Sequence, residues 1–404
     1  MVYVILIGGL LAGVPIAIAI VAALLYFMAT GEAPYTLRIV PTEIFKGLNS
    51  FPLLAIPLFV LAGELMNESG ITGRIIAFAN VLVGRMRAGL ALVNIWASVI
   101  FAGLSGSAVA DTSAIGRVFI PEMEKHGYDR SFAAALTAAS SVIGPIIPPS
   151  IPVIIYALIV SGVSVPALFL AGVVPGILLA VFLSAYVMLT VKVDHGDQSA
   201  DLDGPSSTEA LLQGILPLLM PVLVVGSILL GIVTPTEAAS FAVAYALILG
   251  LFVYRKIRLT ALPGLFASAM RDSAVILIII AAVAAANWLL TYNRIPNMLT
   301  DWVLANVDSK TAFLLATILL FLFVGLFLEG IAAMLVLVPI LHPIAVSMGV
   351  DPTHFGILVI FNLMIGLITR RSASASSWPR GSRRSAWPGS SARSCRSSSS
   401  RCWS

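Results

Sequence analysis

Residues 130–160 read RSFAAALTAASSVIGPIIPPSIPVIIYALIV, an apolar stretch that is interrupted by three closely spaced prolines, Pro145, Pro148 and Pro149. Each proline removes a backbone donor and clashes with the preceding helical turn. A helix across this stretch must therefore break and restart near Ser150. Because both flanks are apolar, the break is expected at membrane depth, where protein or a water-filled cavity has to receive the freed backbone groups.

The composition of the whole chain supports a membrane protein and excludes a soluble multidomain protein. Of its 404 residues, 59% are hydrophobic and 10% are charged, whereas a soluble domain is about 25% charged. The run that starts at Met1 has no basic flank and no cleavage site, so it is expected to be a retained helix. Segment 32–48 is expected to be an interfacial arm. Apolar spans are predicted at 2–27, 51–67, 71–84, 166–191, 213–232, 235–253 and 269–292.

The net charge of +4 comes from the C-terminal tail and does not indicate a nucleic-acid partner. Residues 370–404 hold eight arginines and no acid, so residues 1–369 hold 15 basic against 19 acidic side chains. Both cysteines, Cys395 and Cys402, also lie in the tail. A disulfide or a cysteine metal site within the body is therefore excluded.

The two halves of the body repeat each other at an offset of 222 residues. The repeated glycines, proline and aspartate carry the argument, since apolar identities are common in so hydrophobic a chain. The matched pairs are Phe101/Phe323, Gly103/Gly325, Leu104/Leu326, Ala110/Ala332, Pro121/Pro343, Gly127/Gly349, Asp129/Asp351 and Gly144/Gly366. We expect a first repeat at 1–191, a cytoplasmic linker at 192–212 and a second repeat at 213–369.

The basic residues predict the orientation, because cytoplasmic loops are enriched in Lys and Arg. This rule places the N-terminus in the periplasm. A helical hairpin at 89–122 then enters the membrane from the cytoplasm and another at 311–346 enters from the periplasm, so the repeats are inverted. The residues assigned to the cytoplasm are Arg85, Arg87, Lys125, Arg130, Lys192, Arg255, Lys256 and Arg258.

The predicted tip of the first hairpin lies in GLSGSAVADTSAIG, residues 103–116. Ser105, Gly106 and Ser107 allow a tight turn and offer hydroxyl oxygens. Asp111 is a charge at membrane depth, which is costly and usually functional. A helix-packing seam would explain the small residues, but it would leave the aspartate unexplained.

Two further motifs complete the predicted substrate and ion site. The break GPIIPPS, residues 144–150, contributes Gly144, Pro145, Pro148 and Pro149; its carbonyls can bind Na⁺ and its restarted helix offers N–H groups to an anion. The second hairpin, GLFLEGIAAM, contributes Gly325, Glu329 and Gly330. No phosphate-binding loop, zinc motif or catalytic triad is present, so neither ATP-driven transport nor an enzyme is supported, and no cofactor is expected.

The chain resembles the large (M) subunit of tripartite ATP-independent periplasmic (TRAP) transporters over residues 1–369. The resemblance rests on FPLLAIPLFVLAGELMNESGIT, FAGLSGSAVADTSAIG, EKHGYDRSFAAALTAASSVIGPIIPPSIPVIIYA, GIVTPTEAA and DPTHFGILVIFNLMIGLIT. The blocks GYDRSFAAALTAAS and GPIIPPS are the most specific of these.

This resemblance implies a polytopic all-α protein of the bacterial inner membrane, with an ion-transporter-like elevator fold. It implies Na⁺-coupled import of organic acids such as C4-dicarboxylates, sialic acid or 2-oxo acids. The expected partners are a periplasmic substrate-binding protein, a small four-helix membrane subunit and the lipid bilayer. The family also has a second helix break, here near Gly366 and Thr369, which reads Thr-Pro-Pro; this chain has Arg370 and Arg371 after the threonine.

Three other functions are alternatives to this one. A single-component Na⁺/dicarboxylate symporter would share the inverted repeats but would need no binding protein. An intramembrane enzyme would need a catalytic pair on facing helices, which is not evident. A structural scaffold would not need prolines and acids at membrane depth.

The tail, residues 370–404, is expected to be a shifted reading frame. It holds fourteen serines, eight arginines and three of the six tryptophans of the chain. At the repeat offset, Pro148 and Pro149 fall on Arg370 and Arg371, so the proline pair of the second repeat is missing. A genuine basic tail that binds anionic lipid is the alternative.

Overall fold

The computed structural model describes residues 8–9, 14–30, 39–160, 162–191, 207–307 and 309–376. Over these residues the chain is helical, with turns and short loops and no strand. The helices are α1 (Ile16–Thr30), α2 (Ile39–Leu48), α3 (Ala55–Glu68), α4 (Ile71–Val83), α5 (Gly89–Ser105), α6 (Ala108–Lys125), α7 (Arg130–Ser141), α8 (Ile151–Ile159), α9 (Val165–Thr190), α10 (Ser207–Leu229), α11 (Pro235–Ile248), α12 (Leu262–Tyr292), α13 (Ile295–Asn306), α14 (Lys310–Phe327), α15 (Gly330–Ser347) and α16 (Pro352–Ser376).

Six helical stretches in the described part of the chain are long and apolar enough to cross a bilayer, judged by length and composition. A helix of about 20 residues covers the roughly 30 Å of the hydrocarbon core. The all-helical, polytopic membrane class is thereby confirmed. The six stretches are Phe51–Glu68, Val165–Thr190, Leu211–Leu229, Pro235–Val253, Leu259–Tyr292 and Gly330–Ser347.

Of the predicted span at 2–27, residues 2–7 and 10–13 lie outside the described part of the chain, and the described residues do not form one straight helix. A Cβ on Gly9 would lie 3.4 Å from the Cβ of Ala19. Ten residues of straight helix would separate these two positions by about 15 Å. Helix α1 begins only at Ile16, after Pro15. Proline is tolerated at a helix start but not within one, which explains why α1 begins after Pro15.

The predicted span at 71–84 is wrong. Helix α4 has 13 residues and is therefore about 20 Å long, too short to cross the hydrocarbon core. Its first turn packs beside the loop after α11: the Arg74 guanidinium lies 3.7 Å from the centre of the Tyr254 ring. The α4 helix therefore connects α3 to the first hairpin but is too short to cross the membrane.

Both predicted hairpins are present as pairs of helices, and the offset of 222 holds at their boundaries. Helices α5 and α6 meet at Gly106 and Ser107, and helices α14 and α15 meet at Leu328 and Glu329. Helix α6 spans Ala108–Lys125 and α15 spans Gly330–Ser347, which are the same positions after the offset. Each hairpin therefore uses an equivalent short turn between two helical arms.

The turn that follows each hairpin is also the same in both halves. Gly127 and Gly349 both adopt left-handed backbone, with φ of 82° and 73°. Asp129 then caps α7, accepting hydrogen bonds from Ser131 and from the backbone N–H of Phe132, and these bonds lower its pKa. Asp351 caps α16 in the same way, and hydrogen bonds led by the His354 N–H lower its pKa. Two sequence-distant segments thus share one local structure.

The first predicted helix break is present and the second is not formed. Helix α7 ends at Ser141 and α8 begins at Ile151, with a buried loop between them. Helix α16, by contrast, runs without interruption from Pro352 to Ser376, through Gly366 and Thr369. The physical reason lies in the sequence, because arginine keeps the backbone donor and helical geometry that a proline would remove.

Candidate functional site

A cavity of about 480 Å³ lies where the two hairpin tips meet the first helix break. Helices α3 and α12 form its opposite wall. Five of the predicted site residues line it directly, and most of the others lie immediately behind these five. The predicted residues at the cavity surface are Ser105, Gly106, Ser107, Pro145 and Glu329.

The tip of the first hairpin is closed by a tight turn against the helix break. Gly106 has φ of 58°, and a Cβ there would lie 2.6 Å from the carbonyl oxygen of Pro149. Glycine is therefore required twice over, for the backbone angle and for the close approach. Ser107 follows as the N-cap of α6 and accepts a hydrogen bond from the Ala110 N–H at 3.5 Å. The same turn presents the Ser107 side chain to the cavity.

Asp111 is completely buried behind this tip. The Ser105 hydroxyl donates a hydrogen bond to its Oδ1, whereas its Oδ2 has no hydrogen-bond partner. Oδ2 occupies the space beside Gly144, where a Cβ would collide with it and would lie 3.2 Å from the Ser141 carbonyl oxygen. The unpartnered carboxylate oxygen therefore faces the backbone at Gly144, whose N–H donates a hydrogen bond to the Ser141 carbonyl at 3.2 Å.

The helix break supplies the rest of this buried region. Ser150 caps α8: the Val153 N–H donates to its hydroxyl, which in turn donates to the Pro145 carbonyl. Pro148 and Pro149, joined by a cis peptide bond, lie within the break, where Pro149 contacts the hairpin tip. One carbonyl of the break, that of Pro145, is thus received by a protein side chain, as membrane depth requires.

The second hairpin meets α16 through glycine. A Cβ on Gly325 would lie 3.2 Å from the Cα of Gly366, and a Cβ on Gly330 would lie 3.2 Å from the Met364 side chain. Glu329 caps α15 by accepting the Ala332 N–H at 3.1 Å. The side chain of Thr369, the remaining predicted site residue, lies outside the described part of the chain.

Sequence reasoning missed Arg117, the one basic side chain among the described residues that line the cavity. Its guanidinium donates to the carbonyl and the hydroxyl of Ser113, one turn earlier on α6. No carboxylate in the described part of the chain forms an ion pair with it. Arg117 lies six residues after Asp111 within an apolar hairpin, and a charge at that depth was the signal that could have identified it.

The wall of the cavity opposite Arg117 is acidic, which sequence reasoning also missed. Glu64 and Glu68 on α3 and Asp272 on α12 all line the cavity. Ser268 lines the same wall, and the Oε2 atom of Glu64 is buried without a hydrogen-bond partner. The cavity therefore combines one cationic hairpin residue with several carboxylates.

Comparison with known proteins gives one family over nearly the whole body. Residues 3–369 match the family described as tripartite ATP-independent periplasmic transporter, DctM component. The match stops immediately before Arg370, at the point where the composition changes.

Among characterised relatives, the chain is similar to the sialic acid TRAP transporter large permease protein of Vibrio cholerae, with 39% identity over 90% of this chain and 84% of the relative. It is 36% identical to the 2,3-diketo-L-gulonate TRAP transporter large permease protein of Escherichia coli, over 90% of this chain and 85% of that protein. It is 34% identical to the C4-dicarboxylate TRAP transporter large permease protein of Rhodobacter capsulatus, with the same coverage.

Proposed function

Because the chain belongs to the DctM family, the large membrane subunits of TRAP transporters, we propose that it carries a small organic acid anion across the bacterial inner membrane, coupled to Na⁺. Membership makes it a transporter subunit and not an enzyme. Beyond family membership, we propose which residues bind the coupling ion and the substrate, and which helices move during transport.

The observation that carries the proposal is the placement of the cavity. Both hairpin tips and the helix break line it together with α3 and α12. We propose that the hairpins, α7, α8 and α16 move together as a transport domain against α3 and α12. The equivalent turns at Asp129 and Asp351 support two repeats, and inverted repeats build binding sites near the bilayer midplane.

Asp111 is our proposed residue for the coupling ion. Na⁺ is a hard cation that prefers oxygen ligands, and a buried carboxylate requires a counter-charge or a proton. Asp111 Oδ2 and the Ser141 carbonyl oxygen, with Ser105 alongside, would hold such an ion. Bound there, Na⁺ would supply positive charge at the hairpin tip. The chain's own contribution is to fix these oxygens and to exclude water from them.

Arg117 is our proposed residue for the substrate carboxylate. The relatives are named for sialic acid, 2,3-diketo-L-gulonate and C4-dicarboxylates, all of which carry a carboxylate. An arginine binds a carboxylate through two parallel hydrogen bonds. The acidic wall at Glu64 and Asp272 would repel an anion, so the hairpin side of the cavity is the side that can attract one.

We expect uptake to require Na⁺, a periplasmic binding protein and a small membrane subunit. The assay is uptake of a panel of radiolabelled organic acids into liposomes that contain the large and small subunits encoded together. It uses both the 404-residue chain and the chain with its frame restored after Thr369, as proposed below. Uptake by the frame-restored chain should follow the Na⁺ gradient and stop without the binding protein, whereas the 404-residue chain should not support uptake. Uptake driven by ATP, or undiminished without Na⁺, would contradict the proposal.

We also propose that the loops at 85–88 and 255–258 are cytoplasmic and the N-terminus periplasmic, following the Lys and Arg distribution. The contact between Arg74 and Tyr254 places the start of α4 beside the second loop. If both loops lie in the cytoplasm, α4 begins and ends on the same side of the membrane.

The body has no cysteine, so single cysteines can test this topology after Cys395 and Cys402 are replaced by serine. We expect Met86→Cys and Lys256→Cys to resist an impermeant maleimide in right-side-out vesicles. Ile232→Cys, in the exposed turn between α10 and α11, should react. Labelling of either of the first two positions before permeabilisation would reverse the assignment.

A further inference from the structure

The outer face of α14 is exposed, although its repeat counterpart on α5 is buried. Leu315, Leu319 and Phe323 are 57%, 67% and 62% exposed. At the offset of 222 these positions correspond to Val93, Ala97 and Phe101, which are 0%, 0% and 1% exposed. Leu320 and Leu326 show the same contrast. We call the five α14 residues Leu315, Leu319, Leu320, Phe323 and Leu326 the α14 face.

Helix α9 packs against α5, and it also packs on the first helix break. A Cβ on Gly172 would meet the Ile146 carbonyl, and a Cβ on Gly176 would meet the Ile147 side chain. The α9 helix is 26 residues long and apolar. Helix α14 packs against α15 and α16, and the described chain has no counterpart of α9 on its outer side.

The chain as written cannot supply that counterpart. At the repeat offset, the first residue of α9, Val165, falls on Trp387, inside the serine- and arginine-rich tail. Arginines at the centre of a membrane helix are strongly disfavoured. The position of the proline pair is likewise taken by Arg370 and Arg371, and α16 continues through it.

We propose that the α14 face is the seat of a C-terminal membrane-spanning helix, which the same gene encodes in another reading frame, and that residues 370–404 are translated out of frame. Two kinds of observation support the proposal. In the sequence, the family match ends at residue 369 and the composition changes at residue 370. In the structure, the α14 face is exposed where the buried repeat counterpart on α5 predicts a covering helix. The proposal does not depend on the substrate or on the coupling ion.

The gene sequence is the first test. A one- or two-base change near codon 370 should open a frame that begins with a proline pair and continues into an apolar stretch of about 20 residues, enough for one membrane span. Absence of such a frame in either register would overturn the proposal.

A spin-label experiment tests whether the C-terminal helix covers the α14 face. Phe323→Cys, with Cys395 and Cys402 (where present) replaced by serine, carries a nitroxide in the 404-residue chain and in the frame-restored chain, both in lipid vesicles. We expect collisions with dissolved oxygen to fall several-fold in the restored chain, because the new helix covers the label. A label at Phe182→Cys, on the outward face of α9, is the control and should collide equally in both. Equal oxygen access at position 323 in the two chains would mean that lipid covers this face, and the proposal would fail.

Discussion

Replacing Asp111 by asparagine is expected to abolish Na⁺-dependent stabilisation of the protein and to lower Na⁺-coupled uptake by about 100-fold or more. Asp111 is fully buried, and one of its oxygens has no hydrogen-bond partner. A charge at membrane depth costs about 3 kcal/mol, and a cation that offsets this cost binds correspondingly more tightly. Each 1.4 kcal/mol is a factor of about ten in affinity, which gives the expected size of the effect.

Thermal unfolding of the 404-residue chain in NaCl and in KCl measures this directly, because Asp111 and its surroundings lie within the first half. The native chain should melt higher in NaCl. The Asp111→Asn variant should show no difference between the salts and should melt in KCl at least as high as the native chain, since it buries no charge. Asp301→Asn, at an exposed aspartate of α13, is the matched control. A retained NaCl shift in Asp111→Asn would exclude Asp111 as an ion ligand.

Replacing Arg117 by glutamine is expected to raise the KM for the organic acid by about 10- to 100-fold, with Na⁺-dependent stabilisation unchanged. A hydrogen bond to a charged group contributes about 1.5–3 kcal/mol, and Arg117 is the one basic side chain that the described cavity offers to an anion. Arg117→Lys should recover part of the affinity, because lysine keeps the charge but not the planar fork.

Uptake kinetics of the frame-restored chain with its partners measure the effect. Arg130→Gln is the control, because Arg130 is exposed and pairs with Glu124 at 3.5 Å on the surface. An unchanged KM in Arg117→Gln, or an equal rise in Arg130→Gln, would remove Arg117 from the substrate site. The Asp111→Asn and Arg117→Gln variants separate ion binding from substrate binding, so the proposal for one residue can fail while the proposal for the other stands.

The hairpins and the first helix break could be predicted because their signals are local. Three prolines end a helix wherever they occur, and Gly106 marks a turn that other residues disfavour. The predicted hairpin at 89–122 became helices over 89–125, and the one at 311–346 became helices over 310–347. The local preferences of proline and glycine were sufficient to predict these elements. The repeat gave independent support for both hairpins.

The approach of Gly9 to Ala19 and the lining of the cavity depend on contacts that no local rule contains. Gly9 and Ala19 lie close together, although both belong to an apolar run that reads as continuous. Arg117 and Asp272 enter the cavity because of the rotation of α6 and α12 about their axes. Helix α12 carries apolar residues around most of its circumference, so periodicity did not mark its inward face. Helix α6 has a clear buried face, but Arg117 lies outside that face, so periodicity did not assign it to the cavity.

The proposed ion site also has an order of assembly. Asp111, Ser105, Ser141 and Gly144 lie within forty residues of one another, so their contacts close short loops, which form quickly. Proteins fold from the N-terminus during synthesis, and the ribosome completes this region well before it reaches α10. If the reading frame shifts near codon 370, the chain has therefore already formed one ion site when the shifted part is translated. Such a chain would reach the membrane able to bind an ion and unable to finish the cycle that uses it.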